Sequence, residues 1–347
     1  MKINYNTQQQ LAIDTIDGQV LVNAGPGSGK TQVIAQRVGS ILEHTDTQPE
    51  NILILTFTNA GVTAMKNRLV KMWGVGAYNV NVMTMHSFGS MVLSHYPEII
   101  GLHNLDAATE IDLLELVREI LDDLPKGHSL RRLSHNPYFD ETKLKNLFAT
   151  LKTEDLSIQK LEASVSEYIL SLPETEGYFY KRKYKDKMPG DPKQNLIDDE
   201  VKKMSELLEA ARLLPIYNNK LKGRNVFDYA DMLIHVSKAF ERFPFILSRY
   251  QENYQYFIAD ETQDLSGLQF KILNQLTSHW GEQADVMIVG DRNQSLYGFQ
   301  GADNKNIDKW AAQYPNLNEI TFETNYRSNK DIIDSAQRVI AHNTDTE

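Results

Sequence analysis

Two hydrophobic rhythms divide this chain. The first is a set of short continuous apolar runs, each followed by helical spacing. Gln19-Val20-Leu21-Val22 is such a run, leading through a glycine-rich turn into a helix from about Lys30 to Glu43. Asn51 to Thr56 is a second, followed by a helical stretch ending near Met72, and Val80 to Thr84 is a third. Tyr256 to Asp260 and Val286 to Gly290 repeat the pattern late in the chain. A short run from Glu319 to Glu323 then precedes a helix from about Lys330 to His342. Runs that are apolar throughout, instead of alternating, predict strands buried on both faces. Strand–helix–strand alternation of that kind predicts an α/β fold, with a parallel sheet flanked by helices.

The second rhythm fills the middle. From about Met91 to Ser248, Ile111, Leu114, Val117, Leu121 and Leu124 recur at helical spacing between acidic residues. The region reads as a large, mainly helical insertion over 91–249, between two parts of one sheet domain at 1–90 and 250–318. No internal repeat or low-complexity segment interrupts it.

Composition narrows the picture. The 347 residues are 41% hydrophobic and 24% charged, ordinary for a globular protein. No apolar run reaches the roughly 18–20 residues of a membrane span, and the first residues carry no signal-peptide core. With no cysteine, disulfides and thiolate metal sites are excluded, which fits a reducing cytosol. The net charge of −10 argues against a general positive field for nucleic acid, so any such contact must come from local groups. The one dense basic tract, Lys181-Arg182-Lys183-Tyr184-Lys185, lies among Tyr178, Phe179 and Tyr180. It reads either as a DNA contact or as a solvated loop.

The strongest chemical signal is Ala24-Gly25-Pro26-Gly27-Ser28-Gly29-Lys30-Thr31, placed after a strand and opening a helix. Glycines let the backbone wrap phosphate oxygens so that N–H groups and the positive helix end point inward. Lys30 would reach the β- and γ-phosphates of ATP, and Thr31 would offer its hydroxyl to Mg²⁺. Ala24 stands where the strict pattern has glycine. A carboxylate ending another parallel strand is the needed complement, and Asp260-Glu261 supplies it: Asp260 for the metal, Glu261 for the attacking water.

The string Asp260-Glu261-Thr262-Gln263-Asp264 resembles the DExQD box of superfamily 1 helicases, and other segments follow in that family's order. Tyr5 to Ala12 resembles the Q motif. Thr56-Phe57-Thr58-Asn59 resembles motif Ia, and Thr84-Met85-His86-Ser87-Phe88 resembles the next DNA-contacting motif. Phe227 to Leu233 is similar to the helix that precedes the DExQD box. Val289 to Ala302 resembles motif III, and Asn325-Tyr326-Arg327-Ser328 resembles motif IV. The resemblance is to the UvrD/Rep/PcrA family, and it covers nearly the whole chain while thinning across the insertion.

It implies a RecA-like ATP-binding motor domain at 1–90 and 250–318, with a second RecA-like domain beginning at 319–347. The implied activity is ATP-dependent 3′→5′ translocation or unwinding on single-stranded DNA or a single-strand/duplex junction. Gln9 would read adenine, with Tyr326 stacking on it. Gln294 would sense the γ-phosphate, and Arg327 would act as an arginine finger. Phe57, Tyr297 and Phe299 would stack on bases, while Thr58, Asn59, Thr84, His86 and Ser87 would bond phosphates or sugars. Plainer roles stand beside these: a core tyrosine for Tyr326, a surface arginine for Arg327, a structural histidine for His86, packing for the three aromatics. Gln32 and Gln300 occupy positions where relatives often carry arginine. Nothing resembling motifs V and VI is found, so the chain is expected to be a piece of a longer protein with impaired activity. The alternative is a nucleotide-dependent binding or regulatory module with little turnover.

Overall fold

A computed structural model describes residues 4–101, 106–131, 136–291 and 305–340. In chain order the first elements are α1 (Thr7–Asp14), β1 (Gln19–Ala24), α2 (Lys30–His44), β2 (Ile52–Thr56), α3 (Asn59–Trp73), β3 (Asn81–Thr84), α4 (Met85–His95) and α5 (Pro97–Ile100). The middle holds β4 (Asp106–Ala107), α6 (Glu110–Asp123), α7 (Glu141–Thr153), α8 (Ile158–Ser171), α9 (Gln194–Ala211), α10 (Leu214–Gly223) and β5 (Val226–Phe227). The last part runs α11 (Tyr229–Arg242), α12 (Pro244–Asn253), β6 (Tyr256–Ala259), α13 (Gly267–Thr277), β7 (Asp285–Gly290), α14 (Lys305–Ala311), β8 (Asn318–Phe322) and α15 (Lys330–Ile340). The chain forms two compact units, 1–101 with 232–347 and 102–231.

The first unit is built on a six-stranded sheet, order β3-β2-β6-β7-β1-β8, with every pairing parallel. Strands β2 and β6 are buried at every position, as their unbroken apolar runs require when helices cover both faces. One face packs Val20, Val22, Ile52, Ile54 and Ile258 against Val33, Ile34, Val38 and Ile41 of α2 and Met65 and Leu69 of α3. Because all strands run the same way, their carboxyl ends form one rim, where ligands of open α/β sheets bind.

The strand at 318–322, where a second domain is expected to begin, is β8, an edge strand of this same sheet, with Val22 opposite Ile320. Its buried side chains, Ile320 and Phe322, join the core already formed by β1. The flanks of the expected insertion, 91–101 and 232–249, belong to the first unit. Phe88 of α4 meets Tyr250 of α12 at 5.5 Å and Tyr250 meets Phe240 of α11 at 6.1 Å, which joins the two flanks to each other. Gln251 of α12 donates to the Gln275 carbonyl of α13 at 2.8 Å, and Gln275 donates to the Ser237 carbonyl of α11 at 3.2 Å, which joins them to the sheet's own helices.

The second unit is helical. Leu116, Val117, Ile120 and Leu121 of α6 pack with Leu144 and Phe148 of α7 and Tyr217 and Leu221 of α10. Helical spacing alone predicts an inner stripe that begins at Ile111, yet Ile111 is 69% exposed. The buried stripe is shifted to 116, 117, 120, 121 and 124, the spacing that keeps one face inward on a 3.6-residue helix. Thr109 caps this helix through a reciprocal box with Asp112.

Candidate nucleotide and nucleic-acid site

The loop after β1 lies on the carboxyl rim, one strand in from the β8 edge. Strand β7 lies between β1 and β6, so at ordinary strand spacing the ends of β1 and β6 are about 10 Å apart. Lys30 spans that gap, its Nζ lying 3.4 Å from Glu261 Oε2. The glycine-rich loop and the acidic strand end are therefore one site.

Gly27 carries the tightest constraint in the loop. Its φ is +72°, and a Cβ there would meet Asn325 Oδ1 at 2.5 Å and the Cβ of Arg327 at 2.6 Å. Only glycine combines that backbone conformation with so close an approach. The carbonyl of Gly27 accepts from the N–H of Tyr326 at 2.8 Å, so the 325–327 segment is laid directly on the loop. Asn325 holds its own turn by accepting from the N–H groups of Arg327 and Ser328. Tyr326 is 59% exposed, and its hydroxyl accepts from Asn6 Nδ2 at 2.9 Å. Arg327 is exposed.

Helix α1 brings the third segment. Asn6 caps it in a reciprocal box with Gln9, and Gln9 Nε2 donates to the carbonyl of Ser28 at 2.9 Å. Gln9 thus braces the loop. Its amide nitrogen has a second N–H and its oxygen a second lone pair for a ligand.

At the acidic end, Asp260 is buried, and its Oδ1 accepts from the Glu261 N–H at 2.9 Å. Burial, then the neighbouring Glu261 charge, push the Asp260 carboxyl up to about 7 against the pull of Lys30. Burial and Glu261 likewise raise Asp264 to about 6. Glu261 adopts φ +53°, a left-handed conformation rare outside glycine and asparagine. That turn exposes its carboxylate to both Lys30 and Gln263, whose Nε2 donates to Glu261 Oε2 at 2.6 Å. The other end of Gln263 accepts from the N–H of Asp291 at 3.0 Å. Gly290 allows this link, since a Cβ there would meet Thr262 Oγ1 at 2.6 Å and Gln263 Oε1 at 2.9 Å.

The donor set suits a magnesium ion that arrives with phosphates. Among the described residues no group of three or more His, Cys, Asp or Glu side chains forms a ready-made cage. Mg²⁺ ordinarily takes one or two carboxylates and completes its shell with phosphate and water. Asp260, destabilised as an anion, is such a carboxylate, and Thr31 at the second position of α2 has the hydroxyl to join it.

The residues expected on DNA occupy the adjacent ends of β2 and β3. Thr58 and Asn59 are exposed there and Phe57 half-buried. Thr58 caps α3 by accepting from Gly61 N at 3.0 Å, and Thr84 caps α4 by accepting from Ser87 N at 3.1 Å. Both hydroxyls therefore also stabilise helix starts. Burial lowers His86 to about 4, so it is neutral near pH 7. Gln294, Tyr297, Phe299 and Gln300 fall in 292–304, outside the described residues.

Sequence patterning does not single out Arg37, yet the fold gives it a role beside the site. Arg37 of α2 is buried, and its guanidinium donates to the carbonyls of Ala12 at 2.8 Å, Thr15, and Ile16 at 3.1 Å. Those carbonyls end α1, so Arg37 ties the helix bearing Gln9 to the helix bearing Lys30. A lone arginine among Val33, Ile34, Val38 and Ile41 was the available signal. At Gln32, Arg68 of α3 donates to the side-chain oxygen at 2.6 Å, so an arginine does reach this position from another helix.

Comparison with known proteins agrees with this geometry. The family model described as the UvrD/REP helicase N-terminal domain matches residues 5–315. The chain is 29% identical over 341 residues to the ATP-dependent DNA helicase PcrA of Staphylococcus aureus strain Mu50, covering 98% of this chain and 40% of that protein. It is 28% identical over 343 residues to PcrA of Staphylococcus epidermidis strain ATCC 12228, covering 99% of this chain and 40% of that protein. The chain thus spans about 40% of the length of the curated relatives it matches. Matched over 5–315, the chain belongs to the UvrD/REP helicase family.

Proposed function

We propose that this chain is the ATP-binding part of a motor that hydrolyses ATP and moves along single-stranded DNA. The carrying observation is Lys30 facing Glu261 at 3.4 Å, with the 325–327 segment and Gln9 bonded to the same loop. Two Staphylococcus relatives named ATP-dependent DNA helicase PcrA support the reading.

In this mechanism the loop N–H groups of Gly27, Gly29 and Lys30 cradle the phosphates, and the Lys30 ammonium neutralises charge developing on the γ-phosphoryl. Asp260 and Thr31 would hold Mg²⁺, which would supply charge neutralisation at the phosphates. Glu261 orients the attacking water and takes its proton, and Gln263 fixes the orientation of that carboxylate. Tyr326 and Gln9 take the adenine. Arg327 stands at the loop as a planar donor to the transferring phosphoryl. Phe57, Thr58, Asn59, Thr84, His86 and Ser87 take the strand at the other end of the same rim, stacking and phosphate contacts being insensitive to base identity. Translocation runs 3′→5′ by resemblance.

The test is the steady-state ATPase rate with and without oligo(dT), for the chain and for Lys30→Ala. The motor reading expects a DNA-stimulated, magnesium-dependent rate that Lys30→Ala abolishes. Nucleotide binding without turnover would favour a regulatory module. A rate indifferent to both DNA and Lys30 would sink the proposal.

A further inference from the structure

The 177–193 segment of the helical unit is untouched by the motor mechanism, and its charge is opposite to that of the rest of the chain. It holds six basic residues, Lys181, Arg182, Lys183, Lys185, Lys187 and Lys193, against two acids, Asp186 and Asp191. That is +4 within a chain of −10. Such a concentration repels itself, so a solvated tether would be expected to stay unstructured.

The structure shows a built hairpin instead. Tyr180 N donates to Asp191 O at 3.0 Å, Gly190 N to Tyr180 O at 2.8 Å, and Lys193 N to Tyr178 O at 2.7 Å. At the tip, Tyr184 and Lys187 exchange hydrogen bonds of 3.1 and 3.0 Å, and Lys185 takes φ +53°, as a two-residue hairpin turn requires. One acid is already used, because Asp191 Oδ2 accepts from Met188 N at 2.8 Å. Lys181 pairs with Glu176, and Lys193 Nζ donates to Gly177 O. Arg182, Lys183, Lys185 and Lys187 remain on the exposed tip, with only Asp186 among them. The hairpin displays these cations on a hydrogen-bonded frame.

The aromatic rings indicate what it displays them to. Tyr180 and Tyr184 stack on each other, with centroids 6.0 Å apart and planes within 8°. Lys193 lies over the Tyr180 ring at 5.8 Å and Lys185 over the Tyr184 ring at 5.6 Å. These contacts brace the hairpin, and although Tyr184 is 58% exposed its ring already carries Tyr180 and Lys185. With four exposed cations and one acid, the tip is suited to a phosphodiester backbone ahead of nucleobases. Duplex DNA presents that backbone most densely, with one negative charge per about 1.7 Å of axis.

We propose that the 178–193 hairpin is a second nucleic-acid site, which grips the phosphate backbone of duplex DNA independently of nucleotide. The proposal rests on reading the chain as a DNA motor and adds a contact that the motor site does not supply.

The test measures binding of the full chain to a labelled blunt duplex, without nucleotide, between about 50 and about 200 mM salt. Removing two phosphate contacts in Lys183→Ala/Lys185→Ala lowers the slope of log affinity against log salt by about 1.8 in magnitude. The charge-conserving Lys183→Arg/Lys185→Arg keeps the wild-type slope, which separates charge from any change in fold. Oligo(dT) affinity stays at the wild-type level in the alanine variant. Lys30→Ala leaves duplex binding unchanged, so loss of the ATPase reading and loss of this one are distinguishable. A wild-type slope in the alanine variant, no duplex binding at the lower salt, or a loss confined to oligo(dT) would each overturn the proposal.

Discussion

Lys30 and Lys152 are both withdrawn from water, with side-chain exposures of 11% and 2%, yet their surroundings differ. Lys152, in the helical unit, sits 2.7 Å from Asp228 and 2.9 Å from Asp231, with the Tyr217 ring 4.9 Å from its ammonium. Tyr217 also donates its hydroxyl to Asp228 at 3.1 Å. Every strong donor and acceptor there has a close partner, and the cluster holds α7, α10 and the start of α11 together. Lys30, in the sheet unit, faces Asp260, Glu261 and Asp264, but its one ion pair among the described residues is Glu261 at 3.4 Å. Asp260 and Asp264 are pushed toward their protonated forms by burial and by the Glu261 charge. A closed charge cluster stabilises a fold. An open one, with acid in excess of base, is the arrangement that a further cation and a bound anion would complete.

Removing each lysine should separate the two roles. Lys152→Ala leaves two carboxylates uncompensated in the interior and should cost about 3–5 kcal/mol of stability. Urea denaturation would read it, and a loss below about 1 kcal/mol would show that the cluster is not closed as described. Lys30→Ala should leave the melting curve nearly unchanged while lowering ATP turnover by roughly 10²–10³-fold, the effect of losing one donor to developing transition-state charge.

The open cluster also predicts a pH response. An unfolded aspartate ionises near 3.9, whereas folded Asp260 holds its proton up to about 7. The folded state therefore binds more protons between those values. The contribution is complete below about 4 and is lost as pH rises through about 7, a decline on the order of 2–4 kcal/mol. Asp260→Asn should flatten that decline in nucleotide-free melts, and an unaltered profile would assign it elsewhere. The smallest effect is expected at the loop, where Gly27→Ala must adopt φ +72° beside Asn325. The backbone cost is about 1–2 kcal/mol, with a matching loss in nucleotide affinity by titration. A neutral result would mean that Gly27 does not hold this left-handed conformation beside the 325–327 segment.

Much of the sheet was legible because its strands are apolar without a break, and at that length few elements besides a strand covered on both faces produce such a run. The predicted helix from Lys30 and the strands from Gln19, Asn51 and Tyr256 match the observed elements to within about two residues. The P-loop and the acidic pair were legible for a similar reason, since few residue types satisfy their backbone and charge requirements. The limits of the insertion were not legible. Helical periodicity runs on through α4, α11 and α12, and long-range contacts, among them those of Gln251 and Ser237 with Gln275 of α13, place 232–249 with the sheet unit. Periodicity also places Ile111 on the inner face, because a pattern of spacing does not say where along the helix the neighbour begins.

The amino-acid order by itself determined the element types, the glycine-rich loop with Lys30 and Thr31, and the carboxylates ending β6, since these depend on local backbone freedom and side-chain chemistry. Only tertiary structure decided that β7 separates the loop from those carboxylates, that β8 closes the same sheet, and that Arg37 and Gln9 fasten one helix to the loop. It also decided that the basic tract is a braced hairpin. Those outcomes depend on distances between residues far apart in the chain, and such distances are set by packing and hydrogen bonding across the fold.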